Sequence, residues 1–237
     1  MSARRARLSG VLQAIGITVG LIGLVGGFVL LALQYRPYSV PTDSMVPTVQ
    51  PGDVLLAHPV KGSRVGRGDV IVFKDPVWGT SAEVKRVIGV GGDTVACCDS
   101  KGRATVNGTP IDEPYLSSAG APEVGATRFS STVPAGRLFL MGDNRSVSLD
   151  SRSHLTDFGG TVPLSGVIAR VEGTVWPLGR AGTIDRTSAF DSLPGPRATA
   201  HGPLAALCYA IIGGAALVLL TAAAGTVEGW MRKRRRS

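Results

Sequence analysis

Three stretches of this sequence bring together residue types that do chemistry. The first is Pro41-Thr-Asp-Ser-Met-Val-Pro-Thr48. Its two prolines fix φ, so the stretch is expected to be extended and stiff around Ser44. A serine outside any helix keeps its backbone N–H available, which suits nucleophilic attack and binding of the oxyanion that attack creates. The second is Lys85, within Glu83-Val-Lys-Arg-Val-Ile-Gly-Val90. Strand alternation sets Lys85, Val87 and Gly89 on one face and Val84, Arg86, Ile88 and Val90 on the other. A lysine beside apolar and small neighbours is a candidate for burial. Burial disfavours the ammonium form, which is the route to a lysine general base. The third is Met141-Gly-Asp-Asn-Arg-Ser-Val-Ser-Leu-Asp-Ser-Arg152, which crowds two acids, two arginines, an amide and three hydroxyls behind a short apolar run. Asp143, Arg145, Asp150 and Arg152 are expected to pair and stiffen a support loop. Taken singly, each stretch also fits an ordinary role: a polar loop, a solvated edge lysine, a surface turn.

Other chemistries find little support. The histidines are His58, His154 and His201, with no metal-ligand spacing among them. A Ser-His-Asp triad would have to use His58 or His154. Gly89-x-Gly91-Gly92 opens no helix and is too weak to be a nucleotide loop. Cys97, Cys98 and Cys208 form no CxxC pair, so zinc and thioredoxin readings fail. Two free thiols and a vicinal bridge both remain open for Cys97 and Cys98. No cofactor and no metal are expected.

These residues need a scaffold, and the charge pattern says where it sits. The chain has 237 residues and a formal net charge of +8, from 25 Lys+Arg against 17 Asp+Glu. Arg4, Arg5 and Arg7 at one end, with Arg232, Lys233, Arg234, Arg235 and Arg236 at the other, account for the whole excess. The charge belongs to two short tails, and aromatic residues are 5% of the chain, so no nucleic acid is expected as a partner. Residues 8–35 carry no charge. As a helix they reach roughly 42 Å, enough to cross a ~30 Å hydrocarbon core. That run is longer than the apolar part of a cleaved signal peptide. Residues 202–227 are a second uncharged run. Basic flanks stay in the cytoplasm, and two spans return the chain to its starting side. The expected organisation is a cytoplasmic basic tail (1–7), a transmembrane helix (8–35), an outer domain (36–182), a linker (183–201), a second transmembrane helix (202–227) and a cytoplasmic basic tail (228–237). The expected location is the cell membrane, as a multi-pass protein with both termini cytoplasmic and the catalytic domain extracytoplasmic.

The outer segment reads as β. Short apolar runs at 54–57, 69–73, 83–90, 105–107, 138–141, 167–171 and 174–176 are separated by turn signals, which argues for an all-β domain. A short helical turn is possible near 149–152. Residues 99–136, rich in Ser, Gly, Ala, Pro and Thr, read as an insertion or flap on the β core.

In this order, Ser44-Met-Val-Pro-Thr48, Gly68-Asp-Val-Ile-Val-Phe73, Lys85-Arg-Val-Ile-Gly-Val-Gly-Gly-Asp93 and Gly142-Asp-Asn-Arg145 continuing to Arg152 resemble the motifs of bacterial type I signal peptidases. They cover about residues 36–176. The resemblance implies a mostly β fold, an antiparallel β-sheet catalytic domain of signal-peptidase type flanked here by an N-terminal and a C-terminal transmembrane α-helix. It implies a membrane serine endopeptidase with a Ser/Lys dyad, cutting signal peptides from exported preproteins after small residues at −1 and −3. Ser44 would be the nucleophile and Lys85 its neutral general base, acting through an acyl-enzyme. Ser148 would orient the lysine. The Ser44 N–H and the Thr42 hydroxyl would form the oxyanion hole, each donor contributing ~3 kcal/mol to the transition state. Asp143, Asn144, Arg145, Asp150 and Arg152 would support the site. Tyr38, Val40, Pro41 and Val84 would line the substrate, held by β-augmentation at 39–42 and 83–85. The implied partners are signal peptides, the lipid bilayer and the neighbourhood of the export channel.

The sequence also departs from the family pattern. Ser146-Val147 follows the arginine of the last motif, Asp43 stands where a small residue is common, and the second span is C-terminal. Two competing readings are a self-cleaving repressor-type Ser/Lys protease, which two spans disfavour, and a silent membrane-tethered β-domain, which the joint presence of Ser44, Lys85 and Ser148 disfavours.

Overall fold

The computed structural model describes residues 2–116, 127–198 and 202–234. The middle of the expected flap (117–126), the end of the expected linker with His201 (199–201) and the outermost residues of both tails lie outside them. The chain divides into two compact units, one of two long helices and one of the residues between them.

The helical unit is α1, Ser2–Gln34, and α2, Leu204–Arg234. Within them Arg7–Gln34 and Leu204–Met231 are long and apolar enough to cross a membrane. The helices run antiparallel, with Gly16 against Thr221, Gly20 against Val218 and Gly27 against Ile211. Glycine lets the backbones touch: a Cβ on Gly214 would lie 2.5 Å from the Leu24 nitrogen. Small residues at such contacts are how helices pack where lipid removes the hydrophobic drive. The outer flanks, with Leu12, Ile22, Leu33, Ile212 and Leu219, are exposed and apolar. The helices extend further than the uncharged runs, because arginine and lysine are good helix formers. Tyr35 is the exception: it leaves α1 and is buried in the second unit, its hydroxyl donating to Glu172 at 2.5 Å.

The second unit is built on antiparallel β-structure. Its strands are β1 Arg36–Ser39, β2 Val54–Pro59, β3 Val70–Phe73, β4 Glu83–Val90, β5 Thr94–Cys97, β6 Ala104–Val106, β7 Thr109–Pro110, β8 Phe129–Thr132, β9 Arg137–Met141, β10 Val162–Pro163, β11 Val167–Trp176 and β12 Gly182–Thr183. Eight form one sheet in the order β1-β2-β11-β3-β4-β9-β10, with β12 also paired to β11. Four form a second sheet in the order β7-β6-β5-β8. All four β3 residues are buried, because the large sheet packs apolar side chains on both faces. Val70 and Val72 join a cluster with Val40, Met45, Val49, Leu55 and Val171. Ile71 and Phe73 join another with Val87, Val90, Leu138 and Leu140.

Several expectations are corrected. β11 is one strand where two runs were expected, because bulges beside Gly173 and Thr174 interrupt the pattern without ending the pairing. A register shift between Val87 and Gly89 reverses alternation in β4. Val90 therefore shares the cluster of Val87, while a Cβ on Gly89 would meet Val95 in the other sheet and Val133 just beyond β8. The described part of 99–136, expected as an insertion or flap, is an insertion with a sheet of its own: β6, β7 and β8 pair on β5, burying Val95, Val106 and Val133 with Phe139. Residues 183–198 are not a free linker, since Phe190 and Leu193 enter that same core. Gly91-Gly92-Asp93 is a tight turn, as its glycines suggest. Asp93 accepts from the Val90 N–H at 2.7 Å and from Arg67 at 2.7 and 2.6 Å. Although burial opposes it, these donors hold the Asp93 carboxyl below the ordinary aspartate range. Cys97 and Cys98 are joined as a vicinal disulfide.

Candidate active site

Ser44 sits where a core-anchored segment turns. Val40, Met45 and Val49 are buried in the cluster under β2, β3 and β11, so the segment is held at three points. The expected extended run is instead a series of turns, closed by Val46 N–H to Asp43 O at 3.1 Å and Val49 N–H to Met45 O at 3.0 Å. Its prolines fix φ but leave ψ free to turn. Turning lifts Ser44 clear of the core, half-buried. Its N–H donates to no described residue, as an oxyanion donor requires. Thr42 Oγ1 stands 3.3 Å from Ser44 Oγ.

Lys85 comes from β4. The strand pairs with β3 along its first half, Lys85 opposite Ile71. β9 joins its other edge only from Arg86 onward. The chain edge at 83–85 is therefore open on one side. The Lys85 side chain is 5% exposed, and its Nζ lies 3.5 Å from Ser44 Oγ. A second partner, missed by sequence reasoning, holds the same nitrogen: Glu83 Oε2 at 3.1 Å. Residues two apart on a strand share a face, so this pair was available from alternation alone.

The loop 142–152 supports both. Asn144 clamps the nucleophile segment, its N–H donating to Ser44 O at 3.0 Å and its side chain to Asp43 O at 3.2 Å. Gly142 lets the loop come this close: a Cβ there would lie 2.4 Å from Ser44 O and 2.2 Å from Ser148 Oγ. Ser148 Oγ is buried beside the Asp150 carboxyl, and among the described residues it bonds neither Lys85 nor Ser44. The expected Ser148–Lys85 bond is thus not formed; Glu83 holds the amine instead.

The charged residues of the loop pair differently from expectation. Asp150 and Arg152 do pair, at 2.9 and 2.8 Å, and Asp150 also accepts from Gly142 N–H at 3.0 Å. Burial alone would raise the Asp150 carboxyl, but Arg152 and these donors hold it below the ordinary aspartate range. Asp143 pairs instead with Arg86, at 2.8 and 2.6 Å. Arg86 is 1% exposed and also donates to Gly68 O at 2.9 Å. Arg145 pairs with Glu113 at 2.8 and 2.5 Å. Burial opposes charge on both arginines, yet the paired carboxylates push their pKa values above the ordinary value. Tyr115 lies under the Arg86 guanidinium, 3.9 Å from centroid to carbon. Arg86, Thr48, Glu113 and Tyr115 are support residues that sequence reasoning missed. The signal for Arg86 was its place beside Lys85; Glu113 gave none, since its partner is 32 residues away.

Of the expected substrate residues, Pro41 is exposed, and Tyr38 and Val84 are half-buried against the core. Val40 is 5% exposed and belongs to the core itself, so its side chain lines no open pocket. Its backbone bonds back to Asp53 and Gly52 at 2.9 and 2.8 Å. β1 pairs with β2 alone and so presents a free edge. A cavity of about 500 Å³, lined by Thr48, Arg86, Tyr115, Arg180 and Ser188 among others, does not include Ser44 or Lys85. Among the described residues no cluster of side chains could hold a metal ion.

Comparison with known proteins gives one consistent result. The family described as "Signal peptidase, peptidase S26" matches residues 9–176. A signal peptidase I of Mycobacterium tuberculosis is 35% identical over 217 residues, covering 70% of this chain and 73% of its own. A signal peptidase I of Leptolyngbya laminosa is 33% identical over 178 residues, covering 69% and 82%. A crystal structure of a signal peptidase I from Enterococcus faecalis aligns at a TM-score of 0.35 and 33% identity, over 43% of this chain and 91% of that one.

Proposed function

This chain belongs to the peptidase S26 family of signal peptidases, serine endopeptidases that cleave signal peptides, and on that premise we propose that Ser44 and Lys85 are its catalytic dyad. The observation that carries the proposal is Lys85 Nζ, buried on β4, reaching Ser44 Oγ at 3.5 Å, with the Ser44 N–H unengaged. Uncharged Lys85 takes the proton of the Ser44 hydroxyl as the oxygen bonds to the scissile carbonyl carbon. The oxyanion that forms is held by the Ser44 N–H and the Thr42 hydroxyl. The C–N bond then breaks, and the leaving amine takes the proton from Lys85. The acyl-enzyme on Ser44 is hydrolysed by a water that Lys85 deprotonates. Asn144 holds the nucleophile segment in register, and the Asp143–Arg86, Glu113–Arg145 and Asp150–Arg152 pairs hold the loop that carries it. Ser148, which lies beside the nucleophile segment, would orient the amine.

The substrate would enter as an extended segment. β1 and the 83–85 stretch of β4 both present unpaired backbone, which suits β-augmentation on either side of the cleavage site. Tyr38, Pro41 and Val84 would border this path, with cleavage after small residues at −1 and −3. The protein is membrane-bound with two candidate spans. The basic flanks of both spans support an orientation with those flanks in the cytoplasm and the catalytic unit outside, where exported chains emerge from the export channel. Full-length protein in vesicles, given a preprotein, tests the dyad. Ser44→Ala and Lys85→Ala should each abolish processing, and normal processing by either variant refutes the assignment.

A further inference from the structure

Lys85 has two partners in this structure, and the tighter one is not the serine. Glu83 Oε2 stands at 3.1 Å from Nζ, Ser44 Oγ at 3.5 Å. Both come from local geometry: Glu83 and Lys85 share a strand face, and Glu83 is at the open end of β4, where β9 has not yet begun. Glu83 is 31% exposed, whereas the Lys85 side chain is 5% exposed, so solvent reaches the acid more than the base. An ion pair between them exists only while Lys85 carries its proton, and in that state Lys85 cannot accept another from Ser44.

Other charges around β4 are already committed. Asp143 is bound by Arg86, Glu113 by Arg145 and Asp150 by Arg152. On the β3 side, Asp69 accepts from the Gly66 N–H at 2.8 Å, and Lys74 is exposed. At the far end of β9, Arg137 bonds Thr161. In the second sheet β5 carries no charge. Asp43, next to the nucleophile, is exposed and forms no ion pair with Lys85. Glu83 is therefore the acid in contact with the amine.

Resting on the dyad reading above, we infer that Glu83 is a positioning residue that acts through Lys85: its carboxylate competes with Ser44 Oγ for the amine and so governs the pH dependence of cleavage. Productive attack requires Lys85 to leave that contact without its extra proton and turn its lone pair to Ser44 Oγ.

The test is the pH dependence of kcat/KM for preprotein cleavage by full-length wild type, Glu83→Gln, Glu83→Asp and Lys85→Ala in detergent or vesicles. Glu83→Gln keeps size and hydrogen bonding but removes the charge. Its ascending limb should move to lower pH by about one unit, which is roughly a tenfold higher rate on the acid side of the profile. The alkaline plateau should change by less than about threefold. Glu83→Asp should keep the wild-type limb or fall between the two. An unchanged limb in Glu83→Gln overturns the inference, and so does a uniform loss of rate with no shift, which would leave Glu83 a purely structural role. Lys85→Ala separates the two levels. If it is inactive while Glu83→Gln leaves the limb unmoved, the inference fails and the dyad stands. If it processes normally, the dyad reading itself fails.

Discussion

Gly142→Ala is a one-carbon change whose effect follows from two distances. Its Cβ would lie 2.4 Å from Ser44 O and 2.2 Å from Ser148 Oγ, where ordinary contact begins near 3.4 Å. Ser148 can rotate away, but the Ser44 carbonyl is backbone and accepts from Asn144 N–H. The segment must retreat by about 1 Å, roughly the difference between 2.4 and 3.4 Å. Lys85 Nζ is already 3.5 Å from Ser44 Oγ, so that retreat carries the pair out of hydrogen-bond range. A misplacement of about 1 Å costs on the order of 10²-fold in rate, and overpacking costs about 1–3 kcal/mol of stability. kcat/KM for preprotein cleavage should fall about a hundredfold, with a fall in melting temperature of roughly 2–12 °C. Gly179→Ala, whose Cβ would meet nothing within 4 Å, is the matched control and should match wild type in both measurements. Wild-type cleavage by Gly142→Ala would refute the geometry claimed for the loop and the nucleophile segment.

Two further outcomes rest on the support pairs. Asp143→Ala leaves Arg86, 1% exposed, without its carboxylate, and should destabilise the protein by about 3–5 kcal/mol in denaturant titrations. Replacing both, Arg86→Met with Asp143→Leu, should recover most of that loss, and no recovery would contradict the pairing argument. The Asp150 carboxyl is held below its unfolded value of about 3.9, so its stabilising contribution is complete above that pH and is lost as pH falls through the depressed folded value. Asp150→Asn should therefore melt below wild type at pH 7, with the gap closing as pH falls below about 4. A gap that stays constant to pH 2.5 would count against the ion pair.

How legible the molecule was depends on how local the signal is. β4 was read at its true limits because eight residues alternate between turn signals at both ends. Its interior bulge was not, because a register shift is decided by β9 and leaves no mark in β4 alone. The small sheet is legible only as an insertion or flap, without most of its strands. Its strands are only two to four residues long and rich in Thr and Ser, too short for periodicity to register. Residue type and order in the sequence mark Ser44, Lys85 and the 142–152 loop as candidates, and the fold brings them together. Pairing among Asp143, Arg145, Asp150 and Arg152 is expected from their crowding, but only Asp150 and Arg152 pair within the loop, whereas Asp143 with Arg86 and Arg145 with Glu113 join separate elements that the sequence does not bring near. Glu83 leaves only a local mark, two residues from Lys85 on the same strand face.

The central claim is that Ser44 is acylated with Lys85 as its base. Rapid acid quench of full-length protein turning over a preprotein, followed by peptide mass analysis, locates the acyl group directly. The account predicts the acyl adduct on the peptide containing Ser44, and none in the Lys85→Ala protein. An adduct on Ser148 or any other residue, or an adduct on Ser44 undiminished in Lys85→Ala, would contradict it.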